Sequence, residues 1–283
     1  MRQFTRLRSL LFAPAVRPDF VAKLADRGAD AVVIDCEDAT PANAKAEGRA
    51  NAAALAGDVA ANGTQVTVRV NAEPTKWFAD DVRDALTGAL TAVVVPKIET
   101  MAGLDRVASA LDEAGHGQLG VIAGIETALG VADARVLLAH TRVVAGYFGA
   151  EDFIADMAGV RTPGNAEVHY ARSAVALAGR LAGVPVLDQI VADFRDDVRF
   201  RHEAAEARSM GYVGKLCIHP GQVPLANDAF VPSADEVDRA RRLLEAYDTA
   251  SAGGVAAIDF EGQMVDEPLA TQARRIIALA DRP

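Results

Sequence analysis

Eight short runs rich in Val, Ile and Leu alternate with alanine-rich stretches along the first 250 residues of the chain. The runs are 9–14, 30–38, 65–71, 92–99, 120–127, 143–152, 185–190 and 214–222. Most of them are almost continuously apolar, which is typical of parallel strands that are buried on both faces. The stretches between them have helical periodicity, and the stretch 167–183 ends in a glycine suited to capping a helix.

This alternation predicts the fold class. Eight strand–helix units in succession favour an α/β fold of the TIM type, a closed (β/α)₈ barrel, which takes roughly 250 residues. A doubly wound open sheet is the alternative, but no G-x-G-x-x-G sequence follows the first predicted strand. Ser233 and Glu236 form a capping-box pattern that predicts a last long helix over about 233–249.

A break in the pattern divides the chain. The sequence Ser-Ala-Gly-Gly at 251–254 indicates a flexible connection. We therefore predict a catalytic barrel over residues 1–250 and a short C-terminal extension over 251–283. The extension is too short to form a domain, so we expect it to pack on the barrel or on a neighbouring subunit.

Charge and cysteine content limit the partners and the compartment. The formal net charge is −10 at pH 7, which argues against nucleic acid and against an anionic membrane surface. No apolar run approaches the roughly 20 residues of a membrane span. Cys36 and Cys217 lie in apolar runs, where we expect buried free thiols rather than a disulfide. These features favour a cytoplasmic protein.

Polar side chains follow nearly every predicted strand. They are Asp35, Glu37, Asp38, Arg69, Asn71, Lys97, Glu99, Glu126, Glu151, Asp152, His219 and Gln222. Parallel strands in a barrel bring all these ends to one rim, which is where barrel enzymes build their sites. Strand ends also become polar simply because the chain leaves the core. The mixture of basic residues with many carboxylates favours a functional site for the set as a whole.

Two of these carboxylates are candidate metal ligands. Glu126 and Asp152 follow adjacent predicted strands, and two carboxylates with open positions suit Mg²⁺, which keeps several waters. Zinc is disfavoured because no two of the five histidines lie at ligand spacing. His219 is interpreted as a hydrogen-bonded turn residue in preference to a catalytic one.

The basic residues at the rim leave alternatives open. Arg69 can hold a carboxylate or an oxyanion with its planar fork, or form a salt bridge to a rim acid, or both. Lys97 can form a Schiff base in a metal-free aldolase, or act as a charge partner for the acidic rim. The acids near Lys97 favour the second role, at or next to the substrate.

Eight segments in this order resemble a known family. They are RSLLFAP, DAVVIDCEDAT, VRVN followed by Trp77, VVVPKIE, IET, FGAEDF, GKLCIHPGQ and GQMVDEP. Together they resemble the citrate lyase β-subunit-like lyases of the HpcH/HpaI aldolase superfamily. The resemblance implies a TIM-type barrel, usually a homotrimer or a hexamer of trimers. It also implies a Mg²⁺-dependent lyase that cleaves or forms malyl-, citramalyl- or citryl-coenzyme A, releasing an acyl-coenzyme A and a 2-keto acid.

The family motifs imply roles for individual residues. Glu126 and Asp152 match the Mg²⁺ ligands, and Arg69 matches the arginine that holds the oxygens at the reacting centre. Glu37 and Asp38 match an acidic pair near the metal-bound waters.

Three further residues match family positions outside this group. Arg17 and Lys23 match basic positions that meet the coenzyme A phosphates. Asp266 matches a catalytic acid that a neighbouring subunit supplies from its C-terminal segment.

Other functions remain possible at this stage. The chain can be a citrate lyase β subunit that acts on a citryl thioester of an acyl carrier protein within a multi-subunit complex. It can also hydrolyse the thioester, as a malyl-coenzyme A thioesterase or a malate synthase-like enzyme would. Schiff-base chemistry on Lys97 is the third alternative.

Overall fold

The computed structural model describes residues 4–281. Eight parallel strands close into a barrel in sequence order, which confirms the predicted fold class. The strands are β1 (Ser9–Pro14), β2 (Ala31–Asp35), β3 (Gln65–Arg69), β4 (Ala92–Val95), β5 (Gly120–Ile125), β6 (Val143–Phe148), β7 (Val186–Asp188) and β8 (Gly214–Cys217). Each strand lies within one of the eight runs predicted from the sequence.

Helices connect the strands of the barrel. They are α1 (Pro18–Val21), α2 (Lys45–Ala60), α3 (Phe78–Asp84), α4 (Met101–Glu113), α5 (Ala128–Leu137), α6 (Ala150–Asp156), α7 (His169–Ala182), α8 (Asp197–Met210) and α9 (Gln222–Ala229). Threonines begin two of them: Thr100 caps α4 and Thr127 caps α5, each through its side-chain oxygen. Gly183 ends α7 in the left-handed conformation, as predicted.

Apolar side chains from the strands fill the barrel interior. Leu10, Val33, Val94 and Ile122 are fully buried in one cluster there, and Tyr147 of β6 joins them near one end. Because side chains alternate across a strand, the neighbours of these residues face the surrounding helices. Each strand is thus buried on both faces, by the barrel interior and by the helices. This burial explains why the apolar runs of the sequence are continuous.

A buried charge network lies on the outer face of β7 and β8. Asp188 and Lys215 are register partners there, and both are fully buried. Asp188 accepts hydrogen bonds from Arg172 (3.0 and 3.1 Å) and from Lys215 (2.7 Å). Glu203 lies 3.4 Å from Lys215, and although burial acts to raise its pKa, the lysine charge lowers it to about 2. The network joins two strands to two helices through charges that neutralise one another.

A second compact unit begins at Asp228. It contains α10 (Ala234–Ala252), a hairpin of β9 (Ile258–Phe260) and β10 (Gln263–Val265), and α11 (Glu267–Ala280). Its own apolar cluster includes Leu243 and Tyr247 of α10 with Ala270 and Ala273 of α11.

The division into a barrel over 1–250 and an extension over 251–283 stays a prediction. The compact units of the structure divide between Asn227 and Asp228, so the last long helix lies in the second unit. The reason is that the apolar face of α10 packs against α11 and the hairpin. The helix itself was predicted correctly, since Ser233 and Glu236 form its capping box.

Cys36 and Cys217 are both buried and free, as expected. Within residues 4–281, none of the helices has the length and apolar composition needed to cross a bilayer.

Candidate active site

A cavity of about 340 Å³ opens at the carboxyl ends of the barrel strands. Apolar side chains line one part of it: Phe12, Pro14, Ile190, Leu216 and Ile218. Polar and charged side chains line another part: Asp35, Asp38, Arg69, Glu126, Tyr147, Glu151 and Asp152. The cavity therefore joins an apolar wall to a dense group of charges, as small-molecule sites do.

Arg69 is held by two carboxylates. Asp35 and Arg69 are register partners on neighbouring strands, and two hydrogen bonds of 2.7 and 2.6 Å join the guanidinium to the carboxylate. The remaining Nη1 lies 2.9 Å from Glu37 Oε2. Burial acts to raise the pKa of Asp35, but the Arg69 charge keeps this pKa below its ordinary value. The guanidinium is thus fixed in orientation while it still lines the cavity.

The loop after β2 is fixed from both sides. Asp35 accepts hydrogen bonds from the backbone N–H of Glu37 (2.9 Å) and of Ala39 (3.2 Å). The ammonium of Lys45 donates to the carbonyls of Cys36 (2.9 Å) and Glu37 (2.8 Å). These bonds hold the loop that carries Glu37, whose carboxylate lies between Arg69 and Lys97. Burial raises the pKa of Glu37 in spite of these two charges.

Lys97 lies among four carboxylates. Its Nζ is 2.6 Å from Glu37, 3.5 Å from Asp38, 3.4 Å from Asp152 and 4.0 Å from Glu126. Burial acts to lower the pKa of Lys97, but the hydrogen bond and charge of Glu37 raise it well above its usual value. The amine is therefore protonated at neutral pH, which argues against the Schiff-base role and for the charge-partner role.

Glu126 is the most buried carboxylate of the cavity wall except for Asp35. Burial raises its pKa to about 7, although the Arg69 charge acts in the opposite direction. Its Oε2 has no hydrogen-bond partner among the described residues. A buried carboxylate oxygen without a partner is costly, so this atom is available to a cation.

Two glycines make room for the Glu126 side chain. A Cβ at Gly149 would lie 2.7 Å from Glu126 Cγ, and a Cβ at Gly124 would lie 2.8 Å from Glu126 Oε1. Both distances are shorter than carbon and oxygen atoms tolerate. These close approaches explain why small residues stand beside the glutamate on β5 and at the end of β6.

We expect Gly149→Ala to displace the Glu126 carboxylate and to weaken Mg²⁺ binding about tenfold, with a stability loss of about 1–3 kcal/mol. Isothermal titration calorimetry with MgCl₂ measures the first effect and urea denaturation the second. Gly57→Ala is the matched control, because nothing lies within 4 Å of the added methyl. If Gly149→Ala binds Mg²⁺ with the affinity of the wild type, the Glu126 side chain does not need the space that the glycine leaves.

The donor set fits a hydrated divalent cation. Within residues 4–281, no three carboxylate, imidazole or thiolate groups converge as a complete protein ligand set. Two carboxylates do approach one point, because Lys97 Nζ lies within 4.0 Å of both Glu126 and Asp152. One or two carboxylates with open positions for water and substrate are what Mg²⁺ uses. The residues present therefore fit Mg²⁺ and do not fit a structural zinc site.

Some predicted residues lie outside the cavity wall. Arg17 and Lys23 follow β1 and are exposed, and Arg17 forms a 2.8 Å ion pair with Asp19. Asp266 belongs to the second unit, at the start of α11, where its side chain caps nothing. The roles of these three residues stay predictions.

Other polar residues that follow the strands are structural. Asn71 donates to the carbonyl of Cys36 at 3.0 Å, and Gln222 donates to that of Val191 at 3.0 Å. Glu99 is exposed. His219 accepts a hydrogen bond from the backbone of its own turn at 3.1 Å, as interpreted from the sequence.

Tyr147 was not predicted. Its side chain is buried in the cavity wall next to Glu126, and burial raises the pKa of its hydroxyl, with the Glu126 charge acting in the same direction. A tyrosine in the middle of an apolar strand looks like ordinary core in a sequence. The one available signal was the position of Tyr147 two residues before Gly149, on the strand that leads to Asp152.

Residues 8–220 match the sequence model of the HpcH/HpaI aldolase/citrate lyase family. The chain therefore belongs to the HpcH/HpaI aldolase/citrate lyase family, and its named relatives are lyases of that family.

Two related proteins and one solved structure are similar to this chain over almost its whole length. The citrate lyase subunit beta-like protein of Deinococcus radiodurans is 49% identical over 276 residues, 96% of each chain. The L-malyl-CoA/beta-methylmalyl-CoA lyase of Cereibacter sphaeroides is 33% identical, with 97% of this chain and 94% of the relative covered. The crystal structure of CitE from Mycobacterium tuberculosis, in complex with magnesium, acetoacetate and coenzyme A, is similar with a TM-score of 0.82. It is 33% identical, with 97% of this chain and 98% of that chain covered.

Proposed function

We propose that this protein is a Mg²⁺-dependent carbon–carbon lyase that acts on a short 3-hydroxyacyl thioester of coenzyme A. The observation that carries the proposal is the pair of carboxylates, Glu126 and Asp152, that approach one point beside the fixed guanidinium of Arg69. This arrangement offers a cation site and an oxyanion partner in the same cavity. The magnesium and coenzyme A of the Mycobacterium tuberculosis structure support it.

The bond changes in the proposed cleavage are those of a retro-aldol reaction. The substrate hydroxyl gives its proton to a carboxylate of the cavity, the bond between the hydroxyl-bearing carbon and the α-carbon of the thioester breaks, and a 2-keto acid forms. The electron pair passes to the thioester half as an enolate, which takes up a proton to give the acyl-coenzyme A. When bound, Mg²⁺ supplies a Lewis acid for the oxygens of the keto-acid half.

The side chains of the chain then have separate roles. Glu126 and Asp152 hold the cation. Arg69 stabilises the oxygen that gains negative charge, and Asp35 keeps its guanidinium in the required orientation. Preorganised charges of this kind lose little energy to reorganisation during the reaction.

Residues outside the cavity wall complete the proposal. Asp266 transfers the proton to or from the thioester half, and it comes from a neighbouring subunit of a homotrimer. Arg17 and Lys23 meet the coenzyme A phosphates, which gives this acidic chain a local basic surface for an anionic ligand. We place the protein in the cytoplasm, with a coenzyme A thioester as its partner and with no nucleic acid.

The test is an incubation of the purified protein with malyl-, citramalyl- and citryl-coenzyme A, each with Mg²⁺ and with EDTA. We expect Mg²⁺-dependent release of glyoxylate, pyruvate or oxaloacetate from one of the three. A protein that binds Mg²⁺, cleaves none of the three, and cleaves a citryl thioester of an acyl carrier protein is instead a carrier-dependent citrate lyase β subunit.

A further inference from the structure

Lys97 lies close to both of the proposed Mg²⁺ ligands. Its ammonium lies between the two proposed Mg²⁺ ligands, 4.0 Å from Glu126 Oε2 and 3.4 Å from Asp152 Oδ1. A cation bound by both carboxylates would lie within a few ångströms of this ammonium. Two positive charges only a few ångströms apart repel each other strongly in a partly buried site.

The carboxylates around Lys97 and Arg69 explain why a lysine is there. Five carboxylates lie around these two cations, so acidic groups outnumber basic ones before any metal binds. The cations are Arg69 and Lys97, and the carboxylates are Asp35, Glu37, Asp38, Glu126 and Asp152. Without Lys97, the carboxylates of Glu126 and Asp152 would lie near each other with no ammonium beside them, which is unfavourable for a buried charge such as that of Glu126.

The backbone holds Lys97 in this place at a cost. Its φ is 53°, in the left-handed region that residues with a side chain rarely adopt. Strained residues of this kind persist where the surrounding structure requires a particular side-chain position, and they cluster at functional sites. The placement of the ammonium is therefore built into the turn after β4.

We propose that Lys97 is an internal competitor for the metal, a positioning residue whose ammonium neutralises part of the negative charge of Glu126 and Asp152 that Mg²⁺ would otherwise meet. The proposal rests on the function proposed above. Glu37, at 2.6 Å, and Asp38, at 3.5 Å, retain the ammonium when it leaves the other two carboxylates. Lys97 thus lowers the affinity for Mg²⁺ and makes the site exchange its metal readily.

The test is calorimetric titration of MgCl₂ into the wild-type protein and into Lys97→Met, which keeps the apolar stem and removes the charge. We expect Lys97→Met to bind Mg²⁺ about tenfold more tightly or better, because a repelling charge a few ångströms away is gone. We also expect a lower Tm than wild type without metal, and a larger rise in Tm on adding MgCl₂.

Two further variants serve as controls. Lys76→Met removes a lysine whose ammonium lies over the Trp77 ring, and it is expected to leave Mg²⁺ affinity unchanged. Lys97→Gln removes the same charge with a polar side chain, so it is expected to tighten binding even where the methionine variant is poorly folded.

The outcomes separate this inference from the proposed function. Mg²⁺ binding that is equal or weaker in both Lys97 variants, with normal binding by the wild type, overturns the competitor role alone. Mg²⁺ binding by neither wild type nor variant overturns both proposals. Tighter binding in the Lys97 variants that disappears in Lys97→Met/Glu126→Gln supports both.

Discussion

Replacement of Glu126 by glutamine is expected to reduce kcat/KM for thioester cleavage by about a thousandfold. Glu126 is almost fully buried, and its Oε2 has no hydrogen-bond partner among the described residues. A neutral amide at this place cannot replace the negative charge of the carboxylate toward a cation. Loss of Lewis-acid stabilisation worth about 4 kcal/mol corresponds to this factor. The measurement is keto-acid release at saturating Mg²⁺, with Mg²⁺ affinity determined in parallel.

Glu113→Gln is the matched control for this prediction. Glu113 ends α4 on the exposed side of the barrel, so the same chemical change there is expected to leave kcat/KM as in wild type. Activity of Glu126→Gln within a few-fold of wild type would contradict the assignment of this carboxylate to the metal.

Replacement of Asp188 by asparagine is expected to lower the free energy of unfolding by about 3–5 kcal/mol. Asp188 is fully buried and accepts hydrogen bonds from Arg172 and Lys215, so the neutral amide leaves two buried cations without their shared counter-ion. Breaking a buried pair on one side costs much more than an exposed pair contributes, because the remaining charge cannot reach water. Urea denaturation followed by circular dichroism measures the change.

Asp19→Asn is the control for the stability prediction. Asp19 also pairs with an arginine, Arg17, at 2.8 Å, but both side chains are about half exposed. Water and salt screen such a pair, so the variant is expected to unfold at the wild-type urea concentration. Equal midpoints for Asp188→Asn and Asp19→Asn would show that the buried network adds nothing to stability.

The barrel strands could be predicted because each is buried on both faces. In a run such as 30–38, Val32 and Val33 point to opposite sides, and both are fully buried. The continuous apolar pattern follows directly from that burial. The extent of each strand was less predictable: β2 ends at Asp35, and the acidic residues after it lie in a loop.

The rim site could be predicted in its position and in its carboxylates, because parallel strands bring their carboxyl ends together. The partners of Arg69 and Lys97 could not be predicted. They depend on the strand register, which sets Asp35 beside Arg69, and on the left-handed turn that directs Lys97 into the carboxylate group. Neither feature has a signal in a single sequence.

The buried network of Asp188 and Lys215 was missed for a different reason. Both residues stand within apolar strands, where a charge is usually explained as an approaching strand end. Their burial is tolerated only because Arg172 and Glu203 reach them from α7 and α8. Such compensation joins residues far apart in the chain, so periodicity cannot reveal it.

The most direct test of the central claim is the product balance of the wild-type protein with Mg²⁺ and the thioester that it turns over. A lyase releases one 2-keto acid and one acyl-coenzyme A for each substrate consumed, with no free coenzyme A, and it stops on addition of EDTA. Chromatography of the thioesters with a colorimetric keto-acid assay measures both products. Equal amounts of acyl-coenzyme A and keto acid are the predicted result. Free coenzyme A with no keto acid would show hydrolysis instead and would contradict the account.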